Sequence, residues 1–528
     1  MKRVFVNGKF YLAEGRFAQS VLVEDGIISH VNPDVIPDCE IIDLGGRTVL
    51  PGFNDSHMHL YSVGTMLKSL NVTTCTSIAQ CIEVGREYIA KNDIPPGTLI
   101  SGGRWNQDYF TDEIRHLNRH DLDAISTVHP IAAYRACGHL AGCNSLALAM
   151  AGINRETSEV PGGEIYRDAT GNPTGILTEN ALDLLLPLKH EPDTAEMADT
   201  IKAAMDYAVS HGITSVQTND IRNENARAML DAYNLTYKRG NGVLRTYHQC
   251  CFTDVDGLKD FIAAGHKMGD GDDMHRVGPI KMFVDGSLGA RTAAMRQPYH
   301  DDPGTTGVLC MTTAQLDEMV QTAHNAGFGC VIHAIGDGAM DIVLAAYEKV
   351  INGENIHRHG IIHCQITDLL LLQRFKQSDV LALVQPIFLH YDMKIVESRI
   401  GAALAKTSYA FNTMNVLGIR ASYGTDAPVE DLGTMNNLYC AINRQDLNRQ
   451  PSGGYNPGEC VPLTRAIDNY TIESAYASFD ETKKGRIAPG YFADMCVLDT
   501  DIFTIDPQGI MDIKVEMTIL GGEIVFGR

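Results

Sequence analysis

The nine residues PGFNDSHMH at positions 51–59 decide how the rest of this chain is read. His57 and His59 stand two apart, so in an extended strand both project from one face. Two imidazoles side by side on a strand can grip one divalent cation, and imidazole suits zinc, iron, nickel or copper. Pro51-Gly52 interrupts the chain just before, which puts the histidines at the far end of the strand that follows. A polar strand edge has the same His-x-His pattern, so the pair alone does not make a metal site. Its partners have to come from elsewhere in the chain.

Outward from this stretch, apolar strand candidates alternate with helical patterns. After the first, at 48–55, they are GITSVQT (212–218), GVLRTYHQC (242–250), VGPIKMFVDG (277–286) and FGCVIHAIG (328–336). HGIIHCQI (359–366), VLALVQPIF (380–388) and GIRASYGTDAP (418–428) complete the set. Segments such as AQLDEMVQTAHNAG, GAMDIVLAAYEKVI and DLLLLQRFKQ fall between them with helical periodicity. Eight near-continuous apolar strands alternating with helices predict a TIM (β/α)8 barrel. The span from first to second strand far exceeds an ordinary connection of about 4–6 residues, so residues of about 60–210 are expected to carry helices and an inserted subdomain.

Barrel enzymes gather their chemistry at the C-terminal ends of the strands. Those ends hold His57 and His59, Lys281, His333, His363 and Asp426. In IKMFVD, Lys281, Phe283 and Asp285 share one face. A lysine pointing into a barrel is costly unless paired or modified. Either it pairs with Asp285, or its amine has taken up carbon dioxide as a carbamate able to bridge two metals, and the spacing leaves both open. His333 and His363 each follow an apolar run on consecutive strands, which favours metal ligation over core hydrogen bonding. Asp426, in YGTDAPVE, faces the same mouth, although Asp-x-Pro also suits an N-cap. Asp337 and Asp341 read as cap and helix-start residues.

The two ends of the chain look alike. Residues 1–50 and 485–528 are short apolar runs split by Asn-Gly, Asp-Gly and Gly-Gly turns, and are expected to close one small β-sandwich domain beside a barrel domain at 51–484. A net charge of -22, from 43 basic and 65 acidic residues, argues against nucleic acid or an anionic membrane as partner. The N-terminus has no apolar core of signal-peptide length and no stretch reads as membrane-spanning. The 13 scattered cysteines then read as reduced thiols, which makes the expected location cytoplasmic.

Several separated motifs in order carry a resemblance over nearly the whole chain: PGFNDSHMHL, GHLAGCNSLALAMAGI, GGEIYRDATGNPTGIL, VDGSLGARTAAM, HAIGDGAMD, IIHCQ, VQPIF, YGTDAPVE and GRIAPGYFADMCVLD. The sequence resembles the amidohydrolase superfamily, in the family 3 branch of uncharacterised metal-dependent hydrolases similar to N-substituted formamide deformylase. The resemblance implies the same barrel and sandwich, and a binuclear site. His57, His59 and Asp426 would bind one metal, His333 and His363 the second, and carboxylated Lys281 would bridge two divalent ions, by habit zinc. It also implies a homodimer or larger homo-oligomer. His139 and Trp105, in the insertion, become candidate substrate-binding residues.

The chemistry so implied is hydrolysis of a non-peptide C–N bond, an amide or formamide of a small molecule, by a metal-bridging hydroxide with Asp426 carrying the proton. A deaminase on the same scaffold would be expected to supply a glutamate soon after His333 or His363, and AIGDGA and CQITD contain none. An esterase or lactonase could use the same site. A non-catalytic barrel scaffold would be expected to have lost ligands.

Overall fold

The computed structural model describes residues 2–527. An eight-stranded parallel sheet forms its centre, with strands in sequential order around it. These are β1 (Phe53–Met58), β2 (Ile213–Thr218), β3 (Arg245–Cys251), β4 (His275–Phe283), β5 (Cys330–Ala334), β6 (Gly360–His363), β7 (Leu381–Val384) and β8 (Ala421–Tyr423). All lie within or beside the eight runs expected from the sequence. Nearly every strand residue is buried, since barrel interior covers one face and helices the other. Helices Thr313–Asn325, Asp337–Val350 and Leu369–Gln377 follow β4, β5 and β6 as their periodicity predicts. The chain is thus a (β/α)8 barrel.

The first and last strands are stitched together just past their ends. Asp426 N–H donates to the His57 carbonyl at 2.8 Å and His59 N–H to the Ala427 carbonyl at 2.8 Å. Buried Asp55 accepts from the Thr425 hydroxyl at 2.7 Å and from the Thr425 and His57 amides at 3.2 and 3.1 Å. Gly424 permits the approach: a Cβ there would lie 2.6 Å from His57 N. The closure therefore delivers His57, His59 and Asp426 to one place.

The first strand divides where the sequence showed one apolar run. Thr48–Pro51 pairs instead with Lys9–Ala13 and Met495–Leu498. It belongs to a six-stranded sheet that faces a four-stranded one built from Lys2–Val6, Val21–Glu24, Ile27–Val31 and Glu40–Asp43. Phe5, Val21, Val49, Met495, Val497 and Ile519 form the core of this terminal sandwich.

Residues 64–196 form a separate compact unit with its own six-stranded sheet and core. It ends earlier than the expected insertion. Helix Thr194–Ser210 turns Met197, Ile201, Ala204, Met205 and Ala208 into the barrel core, which is why it belongs there. Among the described residues no helix is long and apolar enough to cross a membrane, and all thirteen cysteines are free.

Candidate metal centre

Five ligand-type side chains and one lysine meet at the C-terminal mouth. His57 lies at the end of β1 and His59 just beyond it, their ring centroids 5.4 Å apart. His57 faces His363, at 5.8 Å between centroids, and His363 faces His333 at 4.3 Å. Asp426 Oδ1 lies 3.0 Å from His59 Nε2 and 3.3 Å from His57 Nε2. One ligand atom from each of His57, His363 and Asp426 lies within 4.8 Å of the others. His363 and Asp426 hold φ of 82° and 57°, a conformation that costs about 1–3 kcal/mol in a residue with a side chain and persists only where its surroundings enforce it.

Neighbouring groups settle which ring nitrogen each histidine presents. Gln249 on β3 places Oε1 2.6 Å from His57 Nδ1, while its amide nitrogen donates to the Ser56 carbonyl. Gln385, after β7, places Oε1 2.8 Å from His363 Nδ1, and its amide nitrogen donates to the Leu383 carbonyl. With the amides oriented this way, both Nδ1 atoms carry the proton and both Nε2 lone pairs face the centre. His59 Nδ1 lies 3.2 Å from the Asn219 carbonyl, which leaves Nε2 free in the same way. His333 is reversed. Its Nε2 lies 3.0 Å from the Gly286 carbonyl, so Nδ1 is the available atom.

Burial pushes His57 down to about 4 and His333 to about 3, and holds His363 well below its ordinary value, so these imidazoles are neutral near pH 7. Burial opposes ionisation of Asp426, but positive charge at the His57 and His59 Nε2 positions beside its oxygen, carried by a proton or by a cation in its place, holds its carboxyl well below the usual range. Neutral imidazoles beside a carboxylate are what a divalent cation needs. The donors fit one in a further respect: Lys281 Nζ and Asp426 Oδ1 are buried atoms with no hydrogen-bond partner among the described residues. A buried polar atom left so costs free energy unless a ligand completes it. Imidazole with carboxylate accommodates zinc, iron or manganese.

Lys281 does not pair with Asp285. The Asp285 carboxylate instead accepts the amides of Ala294, Ile335 and Gly336 at 2.8–3.0 Å and stands 3.5 Å from His333 Nε2. Lys281 is fully buried, with Nζ 4.6 Å from the Phe283 ring centroid, and burial lowers its amine to about 8. A turn at Ala427–Pro428 does follow Asp426, closed by Val429 N–H donating to the Asp426 backbone carbonyl at 2.9 Å, while its Oδ1 is left to the centre. Asp337 is the first residue of its helix rather than the cap, which is Gly336, and Asp341 pairs with Arg296 and Arg374.

Trp105 and His139 lie in the 64–196 unit. The expectation of a substrate contact at Trp105 is corrected by its burial: the ring is 0% exposed, stacks on Phe110 and donates Nε1–H to the Ala133 carbonyl at 3.0 Å. His139 is exposed, its Nδ1 2.8 Å from Glu179 Oε2. Gln249 and Gln385 escaped the sequence reading, though each is a polar residue in or at the end of an apolar strand. Gln249→Leu and Gln385→Leu are each expected to weaken metal binding about 10–100-fold by freeing a ring to rotate. Competition with a chromogenic chelator measures this.

A profile of the amidohydrolase family matches residues 40–526. The chain belongs to the amidohydrolase family. It is 32% identical to YtcJ of Bacillus subtilis over the full length of both. It is 26% identical to N-substituted formamide deformylase of Arthrobacter pascens, over 98% of this chain and 96% of that one. Among solved structures, an uncharacterised metal-dependent hydrolase of Pyrococcus horikoshii superposes with a TM-score of 0.79 at 25% identity, covering 96% of this chain and 99% of the other. As an amidohydrolase this chain is an enzyme, a hydrolase of carbon–nitrogen bonds other than peptide bonds.

Proposed function

We propose that this amidohydrolase cleaves the amide or formamide bond of a small N-acyl amine, releasing a carboxylic acid and the amine. The observation that carries the reading is the cluster of His57, His363 and Asp426, one ligand atom of each within 4.8 Å of the others, with His59 and His333 against it and buried Lys281 on the neighbouring strand. Two divalent cations, zinc first, would be held there: one by His57, His59 and Asp426, the other by His333 and His363, with carboxylated Lys281 shared between them. Bound cations polarise a carbonyl and lower the pKa of a water from 15.7 to about 7.

The protein's own groups do the rest. Gln249, Gln385 and the Asn219 and Gly286 carbonyls fix the four rings before substrate arrives, so no reorganisation is needed at the moment of reaction. Asp426 is the carboxylate at the centre with an oxygen not committed to a backbone donor. It takes the proton from the attacking water and passes it to the leaving nitrogen, which cannot depart as an amide anion. The formamide deformylase named above acts, by its name, on this class of bond.

A screen of N-formyl and N-acyl amines, with matched esters, tests the reading. Amine release is expected from at least one formamide or amide, lost on chelation and restored by zinc. Turnover of the esters alone would overturn it.

A further inference from the structure

A small cavity of about 190 Å³ opens beside the metal centre. Ser287, Ile335, Gln365 and Val429 line it, each two or three residues beyond Asp285, His333, His363 and Asp426. Phe388, also on its wall, stacks on the His363 ring at 5.8 Å between centroids. Whatever is joined to the scissile bond in the centre therefore has this cavity to occupy. Pockets for drug-sized ligands run to about 300–1,000 Å³, so this one takes a short substituent.

Its polar equipment is one-sided. Asp392 and Glu430 both line it, as does Gln365, and among the described lining residues none is a lysine or arginine. Gln365 is 4% exposed and its Oε1 has no hydrogen-bond partner among the described residues. Tyr409 donates to Asp392 Oδ2 at 2.6 Å, and His390 Nε2 lies 3.0 Å from Glu430 Oε2. Even with His390 protonated, two carboxylates and an orphan carbonyl oxygen outweigh one imidazolium. Burial, reinforced by Glu430, pushes Asp392 up to about 6, which a cation between the two would relieve. Leu288, Phe388 and Tyr391 supply apolar wall for a short carbon chain.

We propose that the amine half of the substrate carries a second, positively charged nitrogen, received in this cavity by Asp392, Glu430 and Gln365 Oε1. The substrate class is then an N-acylated diamine or related cationic amine. This rests on the hydrolytic reading above, and the test separates the two.

N-formyl diaminobutane and N-pentylformamide have the same length and differ in the terminal ammonium. The cationic substrate is expected to show kcat/KM at least about tenfold higher, as suits hydrogen bonds to charged acceptors. Glu430→Gln and Asp392→Asn should each pull that ratio toward one. Equal turnover of both substrates, or a preference that neither substitution moves, would overturn the cation site and leave the hydrolytic reading standing. Calorimetry on the zinc-loaded enzyme with diaminobutane and with pentanol needs no hydrolysis. Binding of the diamine about tenfold tighter, lost in Glu430→Gln, supports the site even if no formamide is cleaved, and diamine binding no tighter than the alcohol's ends it.

Discussion

Lys281→Met is expected to leave a folded barrel, at least as resistant to heat as the parent when both are stripped of metal and carbon dioxide, with hydrolysis reduced about a thousandfold, or roughly 4 kcal/mol of transition-state stabilisation. The argument starts from cost. Lys281 is fully buried on β4 and its Nζ has no hydrogen-bond partner among the described residues. Replacing a lone buried cation by an apolar side chain of similar length removes a desolvation penalty, so stability alone would favour methionine here. An amine kept at that cost is kept for its chemistry. With its pKa lowered to about 8 by burial, a fraction is unprotonated near neutral pH and can add to carbon dioxide, releasing a proton and forming a carbamate. Intact-mass measurement should find one carbon dioxide per chain at neutral pH, absent after acidification. Metal analysis of the methionine variant should find fewer ions per chain than in the parent. A variant that keeps full activity and full metal content would remove Lys281 from the centre altogether.

Much of this centre is legible along the sequence because barrel topology turns a one-dimensional feature into a three-dimensional one. A polar residue immediately after an apolar strand must emerge at the mouth, and His57, His59, His333, His363 and Asp426 all do. What a strand pattern cannot carry is which residues from other strands lean on them. Gln249 meets a histidine 192 positions away and Gln385 one 22 positions away, and neither distance has a periodic signature. The split of the first strand is hidden for another reason: Thr48–Pro51 and Phe53–Met58 are both buried, so hydrophobicity runs across the boundary. Pro51-Gly52 marks the break, and at Gly52 a Cβ would fall 2.2 Å from Thr214 Oγ1, but the pair does not tell that the two halves join different sheets. Helix Thr194–Ser210 falls inside the expected insertion because that span rests on the long gap between the first two strands, and a gap does not show which core receives a helix. Trp105 misleads similarly, since a lone tryptophan in an inserted segment looks the same whether it faces a ligand or a core.

Asp426→Asn should lower kcat for amide substrates about 10²–10⁴-fold, the range for loss of a positioned proton carrier, with KM changing little. Asparagine keeps the shape and one oxygen ligand but cannot accept the proton of the attacking water. The stitching beneath it is left in place, because Asp426 joins β1 through its backbone amide and Asp55 binds Thr425. Because the Asp426 carboxyl is held well below the usual range, its ionised, working form persists as pH falls, and the parent's acid limb should instead follow protonation of the ligands His57, at about 4, and His333, at about 3, and so be shared by the variant. The sharper measurement compares leaving groups. An amide needs its nitrogen protonated to depart, whereas an aryl ester releases a stable phenolate unaided. If Asp426 carries the proton to the leaving nitrogen, the substitution must cost amides more than aryl esters. Equal losses on both, accompanied by a loss of bound metal, would make Asp426 a ligand and nothing more, and the proton carrier would have to be sought elsewhere around the mouth.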